Sequence, residues 1–392
     1  MQREELTAWL RLQLAPGVGL QSARKLLAAF GLPQEIFQQS KAALAQVVGE
    51  RLAHALLAAP SPEHEALIEA TWQWLHADTS AQTARRISSL ADSDYPRTLL
   101  TLADPPLLIY ATGSSAVYQQ IASQATAHDI AIVGSRNATP QGLANARSFA
   151  KAFAQAGAHI VSGLALGIDG AAHEGALDAR MEMGEHAGST IAIVGTGLDR
   201  VYPKRHHDLA HRIVQSGLIM SEFPIGTPPL QENFPRRNRL IAALTQGTLV
   251  VEAAIQSGSL ITARQALDLG KEVFAIPGSI HNPQSKGCHH LIKQGAKLVE
   301  SAQDVLEELP VKLSAATIKI VASHEDSMPA NSPNHSENAL LQVLGHDPVS
   351  LDALIVRSGL PAAKVQAQLL ELELLGEVAR LPGGLFQRQM LA

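Results

Sequence analysis

From about residue 128 two patterns alternate along the chain. Short, continuous, apolar and largely β-branched runs occur at Ile130–Val133, His159–Val161, Thr190–Val194, Leu218–Ser221, Thr248–Glu252, Glu272–Ile276 and Lys297–Val299. Between them lie helical patterns at Pro140–Gln155, Ile168–Arg180, His206–Gln215, Arg236–Leu244 and Leu260–Leu269. Apolar runs without alternation predict strands buried on both faces, and strands alternating with helices predict βαβ units. Thr139 before Pro140 is an N-cap and first-turn pair. The fold class expected is α/β: a Rossmann-like, doubly wound, mostly parallel sheet over residues 81–310.

The flanks read differently. Residues 1–80 carry helical periodicity, with a Pro16-Gly17-Val18-Gly19 turn before the run Ser22 to Phe30. This resembles a helix-hairpin-helix that offers backbone N–H groups to phosphate, or is simply a tight helix–helix turn. Residues 311–336 lose periodicity and read as a linker. Beyond it, Asn338–Leu344, Leu351–Ser358 and Ala362–Leu374 predict three helices, and Gly376–Arg380 with Leu385–Arg388 a hairpin. Three helices with a two-stranded wing make residues 337–392 a winged-helix domain.

Composition narrows the function. The 392 residues carry 31 Lys+Arg against 36 Asp+Glu, a net charge of −5, so any polyanion must meet a local patch. One cysteine excludes a disulfide framework and a cysteine-based zinc site. No apolar run approaches the ~20 residues of a membrane span, and the acidic start does not read as a secretory leader, so the expected location is cytoplasmic, with no membrane partner.

Ligands of open α/β sheets bind beyond the carboxyl ends of the strands. Here those ends read Gly134-Ser135-Arg136-Asn137, Ser162-Gly163-Leu164-Ala165, Gly195-Thr196-Gly197-Leu198-Asp199 with Tyr202-Pro203-Lys204, Ser221-Glu222-Phe223-Pro224 with Phe234-Pro235-Arg236-Arg237-Asn238-Arg239, and Glu252-Ala253 with Ser257-Gly258-Ser259. Residues 200–240 hold seven Lys/Arg against three Asp/Glu. Glycine-rich ends converging with Arg136, Lys204, Arg236, Arg237 and Arg239 suit a polyanion lying across the sheet edge, with Phe223 and Phe234 as stacking surfaces for bases. Gly195-Thr196-Gly197 lacks the third glycine of a dinucleotide fingerprint, and no Walker A run is present, so no cofactor is expected. Asp169, Glu222 and Glu252 read as a metal or general-base site, or as anchors for arginines and backbone amides. His207 and His211, spaced as zinc ligands can be, lack the accompanying Glu; Cys288-His289-His290 reads as a nucleophile with a base, or as a buried thiol. No metal site and no catalytic residue are assigned.

The motifs together resemble the DprA/Smf family. They are Tyr95-Pro96, Asp104-Pro105-Pro106, Ile132-Val133-Gly134-Ser135-Arg136, Ser162-Gly163-Leu164-Ala165-Leu166-Gly167-Ile168-Asp169-Gly170-Ala171-Ala172-His173, Tyr202-Pro203-Lys204, Phe234-Pro235-Arg236-Arg237-Asn238-Arg239, Ser257-Gly258-Ser259-Leu260-Ile261-Thr262-Ala263 and Ile276-Pro277-Gly278. The resemblance implies a bacterial DNA-processing protein that binds single-stranded DNA without sequence preference. It also implies protection of incoming strands in natural transformation, loading of the RecA recombinase, homodimerisation through the Rossmann-like core, and no enzymatic activity. The N-terminal helices are similar to the sterile-alpha-motif-like extension of many members. By motif, the DNA-binding set comprises Gly134, Ser135, Arg136, Ser162, Gly163, Gly195, Gly197, Lys204, Phe234, Arg236, Arg237, Asn238 and Arg239. The competing reading is a nucleotide-hydrolysing enzyme of phosphoribohydrolase type; Ile276-Pro277-Gly278-Ser279-Ile280 lacks the second glycine and the glutamate of that motif. Leu291 and Ile292 are either a dimer contact or core. The winged helix, with four Lys/Arg against six Asp/Glu over 334–392, reads as a partner-docking module rather than a DNA reader.

Overall fold

The computed structural model describes residues 1–77, 83–123, 129–309, 339–345 and 348–388. The expected linker 311–336 and the 80/81 boundary lie outside the described residues.

The strands are β1 (Thr83–Ser89), β2 (Leu108–Ser114), β3 (Ile130–Val133), β4 (Ile160–Ser162), β5 (Thr190–Ile193), β6 (Leu218–Ser221), β7 (Gly247–Val250), β8 (Glu272–Ala275) and β9 (Lys297–Leu298). They form one sheet in the order β1-β2-β6-β5-β4-β3-β7-β8-β9. From β6 to β9 all neighbours are parallel, whereas β2 runs antiparallel to β6 and β1 antiparallel to β2. The chain winds outward from β3 through β6, then returns to place β7 on the other side of β3. That reversal opens a crevice between the carboxyl ends of β3 and β7.

Because side chains alternate along a strand, each strand feeds two cores. Ala131, Val133, Ile191, Ile193, Val250 and Ala275 face Tyr118, Ile121, Leu240, Ala263 and Leu291. Ile130, Ile132, Leu249 and Phe274 face Phe149, Phe153, Ala172 and Val305 on the opposite side. There the helices Pro140–Gln155 and Ile168–Met183 pack closely, since Gly175 leaves room for the Arg147 carbonyl that a Cβ would meet at 2.1 Å. Leu291 is buried in the first core and Ile292, half-buried, packs against it.

β1 and β2 lie outside the expected strands, although β2 follows a continuous apolar run, Leu107–Ala111. β1 carries Arg85 and Arg86 and is only partly buried over its first four residues, so it shows no continuous apolar run. Strand ends differ from expectation by one or two residues; the wing strands are Val378–Leu381 and Leu385–Arg388, joined by an added two-residue strand, Val349–Ser350.

The N-terminal helices do not stand apart from the sheet. Leu6, Trp9, Leu10, Leu26 and Trp74 share a core with Ile87 of β1 and with Leu108 and Tyr110 of β2. Tyr110 donates to Gln13 Oε1 at 3.3 Å, Arg85 donates to the Trp74 carbonyl at 2.9 Å, and Gln13 donates to the Glu222 carbonyl at 3.2 Å. Gly17 sits at φ 78° with Leu52 3.2 Å from where its Cβ would be, so the Pro-Gly turn packs inward. Removing residues 1–77 would expose Ile87, Leu108 and Tyr110, at about 1.5–3 kcal/mol for each large apolar side chain. A chain starting at Thr83 should therefore melt well below the full chain in a calorimetric scan; equal melting temperatures would show the helices to be an independent unit.

Candidate nucleic-acid interface

The β3 end is shaped by close approach. A Cβ on Gly134 would lie 2.6 Å from Ile168 and 2.8 Å from the Glu252 carbonyl, so only glycine fits. Ser135 donates its N–H to that carbonyl at 2.7 Å, and its hydroxyl accepts from the Asn137 N–H at 3.1 Å. The chain then presents Arg136 to solvent. Glu252, just past β7, accepts from the Thr139 N–H at 2.9 Å and from the Thr139 hydroxyl at 2.5 Å. The Thr139 hydroxyl in turn caps the Gly142 N–H of helix Pro140–Gln155 at 3.0 Å. Burial pushes the Glu252 carboxyl up, opposed by these two bonds. The carboxylate is thus a clamp across the crevice.

The β4 and β5 ends are held from beneath by Arg237. Its guanidinium is buried and donates to the carbonyls of Gly163 and Ile193. It occupies the space where a Gly163 side chain would begin. Asp169 faces it and accepts from the N–H groups of Gly163 (3.1 Å) and Ala165 (3.3 Å). Burial raises the Asp169 carboxyl, with Arg237 opposing, and burial pulls Arg237 down to about 10. Leu164 adopts φ 58° and donates its N–H to His173 Nε2 at 3.3 Å, while His173 Nδ1 meets the Thr190 hydroxyl at 2.7 Å.

These contacts divide the expected site. Arg237 and Arg239, expected as phosphate contacts, are tied into the protein by internal bonds, with Arg237 also at the wall of the cleft. Both are buried, and Arg239 is spent on Glu222 and on the Asp104 carbonyl at 2.8 Å. Helix Asn233–Leu244 is enclosed on two sides: Arg237 meets the β4 and β5 ends, Arg239, about 200° further round at ~100° per residue, meets Glu222 and Asp104, and Arg236, on the Arg239 side, reaches solvent. Arg236 lies over the Phe223 ring at 5.3 Å and 3.6 Å from Glu222. Phe223 itself is buried and offers no stacking face to a base. Ser162 is likewise internal, donating to the Ile132 carbonyl at 2.6 Å. Gly195 lets Phe234 approach to 3.3 Å of its would-be Cβ, and Gly197 makes room for Asp199.

A cleft of about 710 Å³ opens over the crevice, and Gly134, Ser135, Arg136, Phe234, Arg237 and Asn238 line it. Ser162, Gly163, Gly195, Gly197, Lys204, Arg236 and Arg239 do not. Tyr202, Gln256, Ser257, Gly258, Ser259 and Ile261 complete the wall. Tyr202 and the Ser-Gly-Ser turn stood in strand-end motifs but gave no signal of their own beyond that position. Phe234 brings the row together: its centroid is 5.5 Å from the Arg136 guanidinium and 5.7 Å from the Tyr202 ring. Lys204 is exposed, two residues beyond Tyr202.

The other candidates take internal roles. Glu222, Glu252 and Asp169 are the anchors just described. His211 Nδ1 lies 2.8 Å from the His207 carbonyl, and no group of three or more metal-ligating side chains occurs among the described residues. Burial pushes the Cys288 thiol up to about 12, so at neutral pH it is protonated.

An open, mostly parallel sheet with a basic and aromatic cleft at its switch point defines the class of protein, and sequence comparison gives the family. The family profile described as DNA recombination-mediator protein A matches residues 86–310, and the DprA winged helix domain matches 324–384. Protein Smf of Escherichia coli is 42% identical over 301 residues, 75% of each chain. Protein Smf of Synechocystis is 31% identical over 414 residues, 99% of this chain and 100% of the relative. The crystal structure of DNA processing protein A from Streptococcus pneumoniae superposes with a TM-score of 0.62 at 35% identity, over 77% of this chain and 96% of that one. The chain belongs to the DprA/Smf family of DNA-processing recombination mediators. No helix among the described residues is long and apolar enough to cross a membrane.

Two stability predictions arise from these anchors. Arg237→Met removes the donor to the Gly163 and Ile193 carbonyls, and a hydrogen bond made by a charged group is worth ~1.5–3 kcal/mol. Urea titration should show a loss of that order, and an unchanged midpoint would remove Arg237 as the anchor. Burial also holds His159 down to about 4 and His173 down to about 3. Their folded values lie below the ~6.5 of the unfolded chain, so the unfolded state binds more protons once the pH falls beneath that value. The stability they contribute is complete above about pH 6.5 and drains away toward pH 4. Urea midpoints measured across that window should fall with pH, and His159→Gln should flatten the fall; a midpoint independent of pH would refute the assignment.

Proposed function

We propose that this recombination mediator binds single-stranded DNA through the Arg136–Phe234–Tyr202 row, without catalysis. The row is the observation that carries the reading. A guanidinium beside two aromatic rings at the mouth of an open cleft offers phosphate and base contacts together. Aromatic stacking needs a base out of its helix, which favours a single strand over a duplex. Ser135, Asn238 and the turn Ser257–Ser259 supply hydrogen-bonding groups that read no particular base. Lys204 and Arg236 are exposed cations flanking the cleft. Protection of incoming DNA, loading of RecA and homodimerisation are supported by family membership and form part of the same proposal, as does a cytoplasmic location.

The test is a fluorescence-anisotropy titration of oligothymidylate and of a duplex at two salt concentrations. Arg136→Ala should weaken single-strand binding and lower the salt slope by roughly 0.7, the single-strand value per phosphate contact. Phe234→Ala should cost about 1–3 kcal/mol, the range for a lost base–aromatic stack, with the slope kept. Equal affinity for duplex and single strand, or an Arg136→Ala variant with unchanged slope, would sink the proposal.

A further inference from the structure

The loop that brings Tyr202 to the cleft wall runs directly into the turn Lys204–His206 and the helix His207–Ser216. That helix buries Leu209, Ala210 and Ile213 against β5 and β6. The burial turns Lys204, Arg205, His207, His211 and Arg212 to solvent. Lys204, His207 and His211 follow one another at spacings of three and four, the spacing of neighbours on one helix face. Arg205 and Arg212, seven apart, flank that stripe.

The two imidazoles form a pair. Their ring centroids are 4.3 Å apart. His211 Nδ1 lies 2.8 Å from the His207 carbonyl, and His207 Nδ1 lies 3.2 Å from Asp208 Oδ1. Each ring is therefore oriented by Nδ1 and leaves Nε2 for an outside partner. Of the surrounding charges, the Asp208 carboxylate touches the pair, at His207 alone and from solvent. Asp208 is fully exposed. The neighbouring helix Ile168–Met183 commits Glu174 and Asp178 to Arg147 and Glu182 to Lys151. His206 is tied to the Leu164 carbonyl at 3.0 Å. β2, β5 and β6 beneath the helix contain no carboxylate, amine or imidazole. On acidification two imidazolium ions this close repel, and an anion laid against both relieves the repulsion.

Resting on the single-strand reading above, we propose that a strand leaving the cleft over Tyr202 continues along this helix, where Lys204, His207 and His211 take further phosphates, and that protonation of the His207–His211 pair tightens the grip. The ligand is the same polyanion, held over a longer stretch. The device makes affinity for long strands depend on pH, while a strand that fills only the cleft is nearly indifferent to it.

The experiment titrates the full chain with a short and a longer oligothymidylate, whose bases take up no proton in this range. It is run at about pH 5.5 and about pH 7.5, either side of the usual histidine range. With the longer strand, acid should steepen the salt slope by roughly 1.4, two contacts at ~0.7 each. At fixed salt of ~0.1 M it should raise affinity about tenfold, while the short strand gains little. The double variant His207→Gln with His211→Gln should bind as the parent does at the higher pH and lose the acid gain; melting curves at both pH values check that it is folded. Arg205→Ala with Arg212→Ala should lower the slope for the longer strand alone, at either pH. An acid gain that survives the double histidine change, or that is equal for short and long strands, overturns the extended path. If the short strand binds in an Arg136-dependent way and the longer one adds nothing, the extension fails alone; if no strand binds at either pH, the underlying reading fails with it.

Discussion

The buried guanidinium of Arg237 is the contact on which the shape of the candidate site depends. It ties together three segments distant in sequence: the β4 end at Gly163, the β5 end at Ile193 and the helix Asn233–Leu244. A buried cation is tolerated only with partners, and here two carbonyls and Asn238 Oδ1, at 3.1 Å, accept from it while the Asp169 charge lies nearby. Asp169 is in turn held by the N–H groups of its own loop. The loop ends therefore cannot relax separately. Their rigidity is what keeps Phe234, three residues before Arg237, at its place in the cleft wall.

A second constraint works across the crevice. Glu252 belongs to the β7 side and Thr139 to the β3 side, so their bonds close the sheet's switch point like a hasp. The Gly134 and Gly142 positions exist to let this happen, since a side chain at either would strike Glu252 or its carbonyl. Above this locked floor the cations Arg136 and Lys204 are exposed. An acidic protein thus presents a local positive field at the mouth of its cleft, and such a field rather than the net charge governs encounter with an anion.

The terminal units relate to the core in different ways. The N-terminal helices share their apolar core with β1 and β2. The winged helix has a core of its own, built on Leu354, Val365, Leu369 and Phe386. Its third helix leaves Leu370 and Leu374 exposed beside Glu371 and Glu373, a surface that suits a protein partner better than a phosphate backbone.

Much was legible along the chain because it depends on local periodicity. Continuous apolar runs marked β3 to β9, the Thr139-Pro140 pair marked a helix start, and glycine-rich strand ends marked where a ligand would lie. β1 was not legible, because an edge strand with Arg85 and Arg86 on its half-buried part shows no continuous apolar run; β2 does hold one, Leu107–Ala111, but it lies outside the βαβ alternation that marked the other strands. The motif Arg236-Arg237-Asn238-Arg239 by itself determined that cations gather at one strand end. Only the tertiary structure decided which of them face solvent: the β4 and β5 ends cover 237 on one side of the helix, Glu222 and the Asp104 segment cover 239 on the other, and 236 stays outside. In the same way the sequence determined that Tyr202 follows a strand, while its place 5.7 Å from Phe234 came from the packing of its loop against the start of a helix about thirty residues on, a distance that no local pattern encodes.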